Sequence, residues 1–234
     1  MNLPPHEVVP GFNELGFTAF TTTRQAGSFN LASEEAAGSV CGRWMGLVEA
    51  LAPRATRLAT ALQVHGDRII EHQGEWNGWL RDTSGADGHL SAAPGTAMAV
   101  TIADCVPIFV AHPSGLGAIL HSGWKGTAAG IVRAALDEFA RRGAKVEEIL
   151  VHLGPAICGR CYEVGPDVYG AVTGQKVDAP ALLDLRAVIA TQARQAGATV
   201  TISELCTRCH NERFFSHRAG DSGRQLGVLL IRGR

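Results

Sequence analysis

Two six-residue apolar runs, 106–111 (VPIFVA) and 116–121 (LGAILH), are separated by only four residues, HPSG at 112–115. So short a connection returns the second run alongside the first, so the pair reads as an antiparallel hairpin. Pairing across that turn puts His121 opposite residues close to Pro107, and Cys105 within a residue or two of facing it. A thiol and an imidazole therefore share the open end of one hairpin. A helix beginning at Thr127 follows a few residues later, with its N-terminus toward the same region.

The rest of the chain alternates strands and helices irregularly. Strand-like runs cover 17–22, 57–64, 96–103, 149–153, 199–202 and 226–231, separated by turn-forming stretches such as RAGDSG at 218–223. Residues 127–142 place Ile131, Val132, Ala135, Leu136 and Phe139 on one helical face, with Thr127 as N-cap and Gly143 as stop. Residues 179–196 repeat the pattern with Asp178 as cap and Gly197 following, and a further helix covers 34–51. The segment 74–94 is polar and glycine-rich and reads as loop. Without a regular βαβ alternation, the expected class is α+β, with mixed sheets covered by a few helices, in a single domain spanning 1–234.

Composition narrows function. At 46% hydrophobic and 18% charged residues the chain is globular, and a formal net charge of −1 supplies no basic field for nucleic acid or an anionic membrane. The N-terminus, MNLPPHEVVPGF, lacks a basic region followed by an apolar run, and no apolar stretch is long enough to span a bilayer. A cytoplasmic location is expected.

A paired Cys and His support two chemistries. One is a thiolate activated by imidazole. The other is a transition-metal site, which in its catalytic zinc form takes three protein ligands and keeps one position open. His65, in LQVHGDRI, is the best third ligand, since it ends an apolar run and precedes a glycine. Histidines hydrogen-bonded at strand ends are the plain structural alternative. CGRC (158–161) and CTRC (206–209) form a second pattern, CxxC…CxxC, which suits a structural zinc held by four cysteines. Such knuckles usually sit on short ribbons, whereas these pairs flank strands and a helix in a large core, and reduced, semi-buried thiols are the preferred reading.

TTTR (21–24), QVHG (63–66), ADG (86–88), ADCVPIFV (103–110), AILHSGWKGTAAGIV (118–132), LGPAICGRCYEVG (153–165) and CTRCHNERFFSHRAGDSGRQLGVLLI (206–231) occur in the order found in the YfiH-type, or laccase-domain, family, which the chain resembles over nearly its whole length. The resemblance implies an α+β fold of mixed β-sheets packed face to face with helices on the outside, and one zinc held by His65, Cys105 and His121. It also implies purine nucleoside chemistry: phosphorolysis of adenosine, inosine and methylthioadenosine, with deamination of adenosine. Other roles credited to the family are peptidoglycan editing, which removes misincorporated serine from cell-wall precursors, and, by older naming, copper-dependent polyphenol oxidation.

On this resemblance Arg24 binds phosphate or sugar, and Lys125 stands where Arg is more usual. Phe214, Phe215 and Arg218 offer a wall and a cation to a purine pocket, or else serve as core aromatics with a solvated Arg. Asp104 is a candidate partner of a ligating His, or a turn cap. The family's GDD element is missing from the segment 25–43. Nine scattered histidines with no H-x-H pair do not supply a multi-copper cluster.

Overall fold

The computed structural model describes residues 2–233. Among these the strands form two six-stranded mixed sheets and a two-stranded ribbon. The first sheet runs in the order β1 (His6–Val8), β2 (Phe17–Thr22), β14 (Gln225–Ile231), β7 (Thr96–Ile102), β3 (Arg57–Ala61), β5 (Gly78–Asp82). The second runs β13 (Thr199–Ile202), β10 (Leu150–Leu153), β8 (Val106–Ala111), β9 (Gly117–Ser122), β6 (Gly88–Ser91), β4 (Ile69–His72). The ribbon pairs β11 (Glu163–Val164) with β12 (Ala181–Leu182). The helices are α1 (Ala37–Leu51), α2 (Trp124–Ala129), α3 (Ile131–Arg141), α4 (Pro166–Thr173) and α5 (Leu185–Gln195).

Three apolar clusters explain the layering. Phe17, Met98, Val100 and Leu229 of the first sheet meet Phe109 and Ile119 of the second, and this contact holds the sheets face to face. On the outer face of the first sheet, Val40, Trp44, Leu47 and Leu51 of α1 pack on Leu58, Ala97 and Val228. On the outer face of the second, Ile131, Leu136, Phe139 and Ile189 of α3 and α5 cover Val106, Ile108 and Val110. Helices α1, α3 and α5 each bury one apolar stripe against a strand-rich layer, as an α+β architecture requires. None of the described helices is long and apolar enough to cross a membrane.

The hairpin forms as its sequence predicts, with Pro107 paired to His121 and Val106 to Ser122. Three expectations are corrected. The helix expected over 127–142 begins earlier, at Trp124, and breaks at Gly130, whose φ of 79° is left-handed backbone that glycine adopts without strain. The helix expected over 179–196 starts at Leu185, capped by Asp184 rather than Asp178, because 181–182 are taken by the ribbon. The supposed loop 74–94 contains β5 and β6. β6 is fully buried yet carries His89 and Ser91, whose polar atoms find partners on β4: His89 Nδ1 lies 2.9 Å from His72 Nε2, and Ser91 Oγ donates to the His72 carbonyl at 2.7 Å. Polar groups satisfied across strands conceal a core strand from any apolar pattern.

Candidate metal centre and substrate cleft

Three segments meet at the top of the hairpin. Cys105 directly precedes β8, His121 lies in β9, and His65 lies in the loop after β3. Their ligand atoms all fall within 4.8 Å of one another. The two imidazoles stand edge to face, with centroids 4.8 Å apart.

His65 reaches this place through unusual backbone. Its φ is 62° and that of Asp104 is 81°, and these are the non-glycine residues with positive φ among those described. Such geometry persists only where neighbours enforce it. Here the neighbour is Asp87, whose carboxylate accepts from the backbone N–H groups of Val64 (3.1 Å), His65 (3.0 Å) and Gly66 (2.7 Å). On the other side Gln63 is clamped to β7, donating to the Thr101 carbonyl at 2.8 Å and accepting from Thr101 N and Oγ1, each at 2.7 Å.

Asp87 also fixes the second imidazole. His121 Nδ1 donates to Asp87 Oδ1 at 2.8 Å, which leaves the other ring nitrogen for the site. Burial works against charge on the Cys105 thiol, but His121 and His65 outweigh it and hold the thiol down at about 6. Burial likewise opposes the His121 imidazolium, yet Cys105 and Asp87 raise it to about 9. Asp87, though desolvated, is kept low by the hydrogen bonds it accepts from His121 and from the loop backbone. Cys105 and His121 thus form a thiolate–imidazolium pair, and a transition metal would take the thiolate together with the imidazole once the His121 proton is released.

Gly123, on β9's exit, leaves the room such an ion needs. A Cβ there would stand 3.0 Å from Cys105 Sγ and 3.4 Å from His65 Cδ2. The donor set therefore fits one metal ion, with three side chains supplied among the described residues. The three residues open into a cleft of about 480 Å³ whose lining includes Phe29, Trp44, Gln63, Arg81, His217 and Arg224.

Comparison with known proteins places this geometry. The profile of the family described as multi-copper polyphenol oxidoreductase laccase matches residues 18–232. The chain belongs to that family, the YfiH-type proteins. A Mycobacterium bovis protein named purine nucleoside phosphorylase is 34% identical over 229 residues, covering 90% of both chains. A protein named adenosine deaminase RL5, from an unknown prokaryotic organism, is 35% identical over 149 residues, 57% of each. The crystal structure of YfiH from Bacillus licheniformis superposes with a TM-score of 0.87 at 26% identity, covering 98% of this chain and 97% of that one.

In this YfiH-type chain the other residues singled out from sequence make contacts of their own. Arg24 directs its guanidinium inward, donating to the Asn211 and Phe214 carbonyls at 2.8 and 3.1 Å and to Asp221 Oδ2 at 2.6 Å, and it lies over the Phe215 ring. Phe214 is fully buried. Arg218 donates to the Glu163 carbonyl and covers Tyr162. Lys125 is exposed and lies over Trp124. None of these four is among the cleft-lining residues, whereas His217 and Arg224, on the same loop, are. Asp104 does not contact a ligating imidazole; it accepts from Thr207 Oγ1 at 2.6 Å and from Arg218 N at 2.7 Å. The residue that sequence reasoning missed is Asp87. Its only signal was its place in the family segment ADG.

Proposed function

We propose that this chain is a zinc-dependent purine nucleoside enzyme, catalysing phosphorolysis of adenosine, inosine and methylthioadenosine to free base and the sugar 1-phosphate, and deamination of adenosine to inosine. The observation that carries this reading is the convergence of His65, Cys105 and His121 at one end of the cleft, with both histidines tied to Asp87. The names of the phosphorylase and deaminase relatives support the substrate class.

His65, Cys105 and His121 would hold the metal. Zinc bound there supplies Lewis acidity and a water acidified to near neutrality. Two imidazoles and one thiolate suit zinc with an open position. Asp87 keeps His121 in the tautomer that turns its free nitrogen inward. The apolar side chains of Phe29, Leu31 and Leu62 offer a surface to a flat base, and Arg81 and Arg224 place positive charge in the same cleft, where an anion such as phosphate would be drawn. Arg24, Phe214 and Arg218 serve substrate through the loop they anchor, which presents His217 and Arg224. Lys125 contributes charge from outside.

Polyphenol oxidation, carried in the family's description, would need further histidines around this centre to reduce oxygen. Among the described residues the other metal-competent cluster consists of four cysteines instead.

The deciding assay uses metal-defined protein on adenosine, with and without phosphate, with product identification. Inosine without phosphate and adenine with phosphate are expected, without oxygen uptake on phenols. A strict copper requirement with oxygen consumed in step with turnover would overturn the reading.

A further inference from the structure

The four remaining clustered cysteines do not behave as separate buried thiols. CGRC follows β10 and CTRC follows β13. These strands pair in parallel, Leu153 beside Ile202, so both loops leave the sheet at the same edge in the same direction. The pairing continues into the loops through a bridge between Ala156 and Cys206. As a result the sulfurs of Cys158, Cys161, Cys206 and Cys209 all lie within 4.8 Å of one another, and all four cysteines are free.

The spacing discriminates between uses. Cys161 Sγ and Cys209 Sγ are 3.4 Å apart. That is far beyond a disulfide bond of about 2.05 Å. It is close to the edge of about 3.8 Å expected for a tetrahedron built on zinc–sulfur bonds of about 2.3 Å. The surroundings suit thiolates as well. The backbone N–H groups of Cys158 and Cys209 both point at Cys206 Sγ, at 3.3 and 3.4 Å. An arginine precedes the second cysteine of each pair, Arg160 and Arg208, and Arg208 donates to the Cys161 carbonyl at 3.1 Å. Four thiolates around a divalent cation carry a net double negative charge, and each of the two loops carries one arginine. Gly159 lets the first loop lie against the start of α5: a Cβ there would stand 2.8 Å from Asp184 Cβ.

We infer that Cys158, Cys161, Cys206 and Cys209 hold a second zinc ion, separate from the cleft and structural in role. Four protein ligands close the coordination sphere and leave no position for substrate. The inference does not depend on the nucleoside reading. Its consequence for the cleft runs through Asp104: Ile157 N donates to the Asp104 carbonyl at 3.0 Å, and Thr207 Oγ1 to its carboxylate at 2.6 Å. One residue comes from each cysteine loop. The ion staples the two loops that keep Asp104 in its left-handed conformation, and Asp104 sets the position of Cys105 next to it.

The test is zinc content by elemental analysis on full-length protein purified under reducing conditions. Wild type should carry two zinc ions per chain. The double substitution C161S/C209S should remove one, H121A should remove the other, and their combination both. C161S/C209S should also lower the melting temperature. As a check that needs no folded cluster variant, C105A is loaded with cobalt. Intense thiolate-to-cobalt charge-transfer absorption should persist there at the strength of several thiolates, since the four-cysteine site is then the one cluster of thiols among the described residues and Cys41 stands apart from it. One zinc in wild type that survives C161S/C209S, a cobalt-loaded C105A without that absorption, or a non-reduced intact mass showing two disulfides would each overturn the inference.

Discussion

Asp87 and His121 are joined twice: the imidazole Nδ1 donates to Asp87 Oδ1 at 2.8 Å, and the His121 backbone N–H donates to the Asp87 carbonyl at 2.7 Å. The same carboxylate gathers the backbone of 64–66, so one buried acid positions both His65 and His121. Asp87→Asn keeps the volume but loses the charge and half of the acceptor capacity. Metal affinity in the cleft should fall about ten- to a hundredfold. Competition with a chromophoric chelator measures this, and an affinity equal to wild type would remove Asp87 from the centre.

Gly123→Ala isolates space from backbone. The residue's φ of −84° and ψ of −171° suit alanine, so no strain enters through the chain. The added methyl meets Cys105 Sγ at 3.0 Å. We expect the cleft metal to be lost or weakened, with a stability cost of about 1–3 kcal/mol from overpacking. Full occupancy measured by elemental analysis would show that the pocket does not need that room.

Arg24 and Arg81 should separate in kinetics. Arg24→Ala removes the partner of Asp221 and three inward hydrogen bonds, and should cost about 1.5–3 kcal/mol in urea unfolding. Because the 211–224 loop loosens, KM should rise for nucleoside and phosphate together. Arg81 is exposed and lines the cleft. Arg81→Ala should leave the melting temperature alone and raise the phosphate KM about tenfold. A rise confined to phosphate in Arg24→Ala would instead put that guanidinium on the anion.

Acid should destabilise the fold before the carboxylates titrate. Burial lowers His152 to about 4, and burial together with His72 lowers His89 to about 3. Both are neutral in the folded chain, while the unfolded chain protonates them below about 6.5. Their contribution is therefore complete above about pH 6.5 and is lost as pH falls toward the folded values, at about 1.4 kcal/mol per unit and per group. Urea unfolding of wild type and His152→Gln between about pH 7.5 and 5 checks this. The variant should show a shallower slope, and parallel slopes would contradict a neutral buried His152.

The hairpin was legible because its information is local. Turn length and strand length together dictate the pairing, and the Pro107–His121 register follows. The α3 face was legible for the same reason, since helical periodicity is written within a dozen or so residues. His65, Cys105 and His121 were found as ligand types at plausible strand ends, and the family motifs singled out the same three. Tertiary structure alone decided what surrounds them. Asp87 acts mainly on backbone amides contributed by a distant loop, and backbone donors leave no mark in a sequence. β6 escaped notice because its buried histidine and serine find side-chain hydrogen-bond partners on β4, a strand distant in sequence. Arg24 and Phe214 carried the family's motif, yet their surroundings depend on how 211–224 folds back. The two CxxC pairs read more readily as reduced thiols until the parallel pairing of β10 with β13 set their loops side by side. A local pattern specifies an element and its face, but which elements become neighbours is settled by burying all those faces at once.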